Sequence, residues 1–380
     1  KAQNRRFLPR SCTCSSIEYS RNRTTMVAVE VSARHRQAVC QLFLGMAPGR
    51  MGRAAQVCFF AFVFVVALHL SISRNADVYE TTPFCSPGGT CGEESDRPSP
   101  RTKYSAKSQW QYDSWFKFHA KLNASAVEFA ASITSTFDNN VRNGGVQTDD
   151  DTQVSPLILL GDSITESYLG TEYGLPLKKF SDITDVLRQA YSDYPTLVLG
   201  VSGDQTQHLL WRLQNGNILP QFTDNPNSIY VVLIGTNNLG AGQLPEDAAR
   251  GVIAVATYLL EHVKGRVFLL EILPRGDSFR LERICPPRCS KNSNQPFKSF
   301  MPAVNKVNMA LRERVPQLSE KHGGRISLVD CSDVFVTTSS QKNSGEEVNA
   351  NLMPDHLHPN AEGHHAMTKC VLDCIKEGKC

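Results

Sequence analysis

A chain of 380 residues, 41% hydrophobic and 20% charged, has room for one large domain or two ordinary ones and is too apolar for a disordered polymer. Its formal charge of +3 is uneven: residues 1–53 carry ten Lys or Arg against two Glu, a balance of +8, leaving −5 for residues 54–380. A basic excess confined to the leader argues against a nucleic-acid surface on the folded part.

Residues 1–53 begin at Lys1 rather than Met and carry the basic excess, so they are expected to be a basic leader, disordered or foreign to the native protein. From Ala54 to Ile72, nineteen residues carry no charge, with Arg50 and Arg53 before them and an unbroken apolar run from Val57 to Leu68. At a rise of about 1.5 Å per residue this length just spans a hydrocarbon core. It also suits a signal peptide, with small Ser71 and Ser73 near a cleavage point. The expectation for 54–73 is a signal-anchor or signal peptide that puts residues 74 onward in the lumen or outside, in a type II or secreted form. If uncleaved, 54–72 is the contact with the membrane.

Residues 74–107 are rich in Pro, Gly, Ser, Thr and charge, which predicts a linker, with the folded domain over 108–380. Eight cysteines follow the apolar segment, Cys85, Cys91, Cys285, Cys289, Cys331, Cys370, Cys374 and Cys380. An even number in an exported region argues for disulfides, including a short one across Cys285-Pro-Pro-Arg-Cys289. Asn123-Ala-Ser125 matches the N-glycosylation pattern.

Aromatic and apolar residues recur at helical spacing from Trp110 to Phe137, so Trp110, Trp115 and Phe118 are expected to cover a core. After a polar loop at 138–152, apolar runs at 156–160, 196–199, 229–234, 267–272 and 326–329 alternate with amphipathic stretches at 177–191, 204–215, 245–264, 299–321 and 360–377. Short continuous apolar runs are the signature of strands buried on both faces. The alternation predicts an α/β fold, a flavodoxin-like three-layer sandwich with a mainly parallel five-stranded sheet. The stretch from Pro274 to Asn294 is too long for an ordinary connection and is expected to be an ordered surface loop near the site.

Small and polar residues come directly after the apolar runs. Gly161-Asp162-Ser163 succeeds the first, "GVSGD" the second, Gly235-Thr236-Asn237-Asn238 the third, and "DHLHPNAEGHH" comes near the C-terminus. In a parallel sheet these segments converge at the carboxyl edge. Ser163 alone could be an N-cap. As a nucleophile it needs a base and an orienting carboxylate, and Asp355 and His358, three apart, would face one way in a helical turn. Backbone N–H groups of Ser163 and Gly203 and the side-chain amide of Asn237 are candidate oxyanion donors. A loop glycine and a surface Asx-turn are the plainer readings of Gly203 and Asn237. His356, His364 and His365 crowd His358, but no partner cluster marks a metal site.

These four blocks resemble those of the SGNH (GDSL-type) hydrolases: "GDSI", the glycine of "GVSGD", "GTNN" and the Asp-x-x-His of "DHLH". The likeness is closest to the catalytic α subunits of intracellular platelet-activating-factor acetylhydrolase, through "SGDQTQHLLWRLQNGNI", "VVLIGTNN" and "LPRG", and covers roughly 108–377. The resemblance implies a catalytic triad of Ser163, Asp355 and His358, an oxyanion hole of Ser163, Gly203 and Asn237, a short-chain acyl (acetyl) ester as substrate, and no metal or organic cofactor. Ile164 stands where the family has leucine, and the cysteine-bearing insertion and apolar leader depart from the cytosolic subunits. The readings kept beside a serine esterase are a glycan O-acetyltransferase using the same triad, and a catalytically idle lumenal module holding glycan or lipid.

Overall fold

The computed structural model describes residues 93–103, 108–142, 155–290, 293–337, 347–378 and 380. The basic leader, the apolar segment 54–73, Cys85 and Cys91 lie outside the described residues. Among the described residues no helix is long and apolar enough to cross a membrane.

Five strands build the central sheet: β1 (Leu157–Gly161), β2 (Thr196–Gly200), β3 (Ile229–Leu233), β4 (Arg266–Leu270) and β5 (Ile326–Val329). All neighbours are parallel and the order is β2-β1-β3-β4-β5, the flavodoxin-like order with its switch point beside β1. Every residue of β1 and β3 is buried, which is why these strands read as unbroken apolar runs.

Side chains alternate between the two faces. Ile158, Leu160, Leu199, Tyr230 and Val232 pack under helices α1 (Gln109–Arg142), α3 (Thr206–Arg212), α4 (Pro245–His262) and α5 (Met301–Lys321). Leu157, Leu159, Val198, Ile229 and Val231 pack under α2 (Ile183–Ala190) and α6 (Ala361–Glu377). Three layers result. Gly161 is level with Gly200 on one side and Leu233 on the other, so the turns leaving β1, β2 and β3 emerge side by side. A side chain on Gly161 would collide with the Leu233 carbonyl and Thr165, so the strand can end this close to its neighbour only on glycine.

Several expectations need correction. Residues 93–103, assigned to the linker, lie on the domain, with Ser95 and Arg101 buried. Composition reports polarity, and a polar segment can be held by hydrogen bonds as firmly as an apolar one by burial. Trp115 and Phe118 are buried, but Trp110 is 52% exposed and rests edge-on against Tyr173. Asn123 is occupied: its Nδ2 donates to the Asn215 carbonyl (2.9 Å), and its Oδ1 accepts from Asn217 (2.7 Å). The 274–294 stretch carries the helix Ser278–Ile284 followed by the Cys285–Cys289 disulfide. Cys331–Cys370 ties the end of β5 to α6, and Cys374–Cys380 closes the C-terminus. Such bonds suit an oxidising, extracellular or secretory environment.

Candidate active site

The tight turn after β1 starts with Asp162, whose carboxylate accepts the Ile164 N–H (3.0 Å) and so caps the one-turn helix Ser163–Glu166. Capping therefore falls to Asp162 and leaves the Ser163 hydroxyl for another partner. Ser163 Oγ lies 2.9 Å from His358 Nε2, and His358 Nδ1 lies 2.8 Å from Asp355 Oδ2. With Nδ1–H donated to Asp355, Nε2 is the bare nitrogen that can take the serine proton.

Asp355 and His358 do not share a helical turn. His356 has φ +57°, outside the right-handed helical region, and Pro359 disfavours a helical residue before it. The two meet because Asp355 Oδ1 accepts the backbone N–H groups of Leu357 (3.1 Å) and His358 (2.7 Å), folding the segment around its carboxylate. Only after this turn does α6 begin, capped by Asn360 through Gly363 N–H (2.9 Å).

The charges follow from this packing. Burial opposes ionisation of Asp355, but the hydrogen bond and charge of His358, with Lys179 at 3.6 Å, hold its carboxyl well below the usual range. Complete burial pushes Asp162 up to about 7 against the opposing effects of the Ile164 N–H and the His358 and Arg275 charges. The two carboxyls thus differ: His358 holds Asp355 toward its charged form, and burial pushes Asp162 toward its neutral one.

Asn237 reaches the same place from the turn after β3. Its Nδ2 donates to the Asp204 carbonyl (3.0 Å) and, at a longer 3.2 Å, to Asp162 Oδ2. Gly203 sits in the turn closed by Asp204 N–H on the Val201 carbonyl (3.1 Å), at φ +75°, where a turn of this kind calls for glycine. Neither the Ser163 N–H nor the Gly203 N–H has an acceptor among the described residues.

Several supports were not singled out in the sequence. Asp204 is fully buried, accepting from Trp115 Nε1 (2.6 Å) and Arg212 Nε (2.7 Å), while Arg212 Nη2 reaches the Gly161 carbonyl (3.1 Å). That network ties α1, α3 and the end of β1 together. A charged residue on the apolar face of "HLLWRL" was the available signal, since such a charge needs a partner. Arg275 is buried: Asp277 takes it in a bidentate pair (2.5 and 2.8 Å), and its Nη1 donates to the Thr236 carbonyl beside Asn237. His364 turns into the core onto Ser167 Oγ (2.8 Å), and burial lowers it to about 3. Among the described residues no three His, Cys, Asp or Glu side chains gather as metal ligands.

Known proteins resemble this chain over the same region. Over 197 residues the chain is 27% identical to human "Platelet-activating factor acetylhydrolase IB subunit alpha2", covering 51% of this chain and 69% of that one. Human subunit alpha1 matches at 38% over 96 residues, 24% of this chain and 38% of that one. Among solved structures, a GDSL-like lipase from Bacteroides thetaiotaomicron aligns at 14% identity and TM-score 0.41, covering 66% of this chain and 99% of that one. The esterase EstA from Pseudoalteromonas sp. aligns at 16% and TM-score 0.37, covering 59% and 98%. The profile of the GDSL-like lipase/acylhydrolase family matches residues 159–366, from β1 into the last helix, and the chain belongs to that family of ester hydrolases.

Proposed function

We propose that the protein is a serine esterase that removes short acyl groups, acetyl foremost, using Ser163, His358 and Asp355. The observation that carries the reading is the hydrogen-bonded chain from Ser163 Oγ through His358 to Asp355 at the carboxyl edge of the sheet. Ser163 Oγ attacks the ester carbonyl as His358 Nε2 takes its proton, and Asp355 holds the ring and balances the imidazolium. The carbonyl oxygen, now negative, is received by the N–H groups of Ser163 and Gly203 and by Asn237 Nδ2, which turns from its long bond to Asp162. The imidazolium then protonates the departing alcohol. Water, deprotonated by the same nitrogen, releases the acid. No step calls on a metal or organic cofactor.

Asn237→Ala is expected to lower kcat by roughly 10²–10³-fold with KM little changed, because a donor aimed at developing charge acts mainly in the transition state. A rise in KM alone, measured by steady-state hydrolysis of p-nitrophenyl acetate, would make Asn237 a substrate-binding residue instead.

The acyl preference is drawn from the likeness to the acetylhydrolase subunits. A pocket shaped for a methyl group leaves no void for further methylenes, and overpacking costs about 1–3 kcal/mol. That is roughly tenfold or more in rate. The expected order of kcat/KM on p-nitrophenyl esters is acetate, then butyrate, then octanoate. Octanoate as the best substrate would reject the short-acyl reading and assign specificity to the 274–294 segment. The apolar stretch 54–73 is proposed to carry the domain into the secretory pathway, a route supported by the disulfides of the domain itself.

A further inference from the structure

We infer that Arg101, on the polar segment that precedes the helix-and-sheet core, is a positioning residue that aims the Gly203 N–H at the reacting carbonyl oxygen; the inference rests on the serine-esterase reading above. Arg101 lies outside the region 159–366 that matches the family, so its role does not come with the shared motifs.

Arg101 is 4% exposed, and its guanidinium spans two successive carbonyls, Nη1 donating to Ser202 O (2.9 Å) and Nη2 to Gly203 O (3.1 Å). Nη1 also donates to Tyr173 Oη (3.1 Å). The Ser202 carbonyl and the Gly203 N–H belong to one peptide unit, which is planar and trans, so the two bonds point in opposite directions. Fixing the carbonyl therefore fixes the line of the N–H. A turn of the other type would rotate this peptide by about half a turn and present a carbonyl where the N–H now stands. Glu166 secures the entrance to the turn by accepting the Ser202 N–H (2.7 Å).

Charge adds to geometry. Among the described residues Arg101 forms no ion pair, so its positive charge is turned on the peptide carbonyls. A cation on the carbonyl polarises the amide and strengthens its N–H as a donor. The fit is mutual, since a Cβ on Gly203 would stand 2.6 Å from Arg101 Nη2. The segment is itself anchored. Glu93 Oε2 meets His208 Nε2 (2.9 Å) and Gln207 Nε2 (2.9 Å), Ser95 Oγ donates to the Asp247 carbonyl (2.5 Å), and Ser99 N–H donates to the Gln207 carbonyl (3.2 Å).

The test compares Arg101→Gln, Arg101→Lys and Ser163→Ala in the full chain on p-nitrophenyl acetate, with phenylboronic acid as the probe of tetrahedral oxyanion binding. Arg101→Gln should lower kcat about 10–100-fold, a part of the loss seen on deleting one oxyanion donor. KM should stay within about twofold, while Ki for the boronic acid rises by the same factor as kcat/KM falls. Arg101→Lys, which keeps the charge but reaches one carbonyl, should fall between wild type and Arg101→Gln. A variant that merely folds poorly loses active enzyme, which lowers the apparent kcat and leaves KM and Ki where they were. That result, or wild-type kcat in Arg101→Gln, overturns the role given to Arg101. If Ser163→Ala itself remains fully active, the failure lies in the serine reading, and the inference falls with it.

Discussion

Ser163→Ala is expected to reduce ester hydrolysis by roughly 10⁴–10⁶-fold, to what substrate binding and oxyanion donors achieve with water alone. The hydroxyl is the only atom removed. Among the described residues its one side-chain hydrogen-bond partner is His358, and it is a small polar atom outside the two apolar clusters of the core. Capping of the first helical turn is done by Asp162, so the turn keeps its shape without the serine oxygen. Thermal unfolding should therefore be nearly unchanged, and circular dichroism with a melting curve on the same preparation checks this. A fluorophosphonate should label wild type at Ser163 and leave the variant unlabelled. Substantial activity in folded, unlabelled Ser163→Ala would end the assignment of Ser163, His358 and Asp355 as a working unit.

Asp204→Ala should have the largest effect on stability, about 3–5 kcal/mol, because it strands a buried cation. Arg212 is fully buried and has Asp204 as its ion-pair partner; without it the guanidinium keeps hydrogen bonds to Asn217 and Gly161 but no counter-charge. Trp115 Nε1 would lose its acceptor as well. The comparison is Asp204→Asn, which retains an acceptor while losing the charge and should be intermediate. Urea unfolding of the three proteins gives the differences. A loss under about 1 kcal/mol in Asp204→Ala, no more than an exposed surface pair contributes, would mean that water or rearrangement replaces the contact. Since the Asp204 carbonyl also accepts from Asn237, some activity should be lost before the protein unfolds.

The sheet was legible in the sequence because its strands are short and covered on both faces. Burial leaves no polar alternation, so each strand stands out as an apolar run bounded by turn residues. Helices α1, α4, α5 and α6 were legible for a related reason, since one face of each is covered and the apolar residues recur at helical spacing. The turns after β1, β2 and β3 could be placed at one edge from chain direction alone, given a parallel sheet. Pairing within them could not. That Asp162 caps while Ser163 faces His358 depends on backbone angles, and the Asp355–His358 segment turned out to be a carboxylate-centred turn rather than a helix.

By itself the sequence determined the fold class, the order of the elements and the residue types gathered at the sheet edge, because these depend on patterns repeated over many neighbouring residues. Tertiary structure alone decided which polar groups answer one another across long separations: Trp115 with Asp204, Glu93 with His208, Arg101 with Ser202 and Gly203, and Cys331 with Cys370. A hydrogen bond or ion pair is made by two groups whose positions are set by everything else in the fold, so neither sequence neighbourhood contains it. For the same reason, residues 93–103 read as a linker from composition, while Arg101 is held against the turn after β2 and Glu93 against α3.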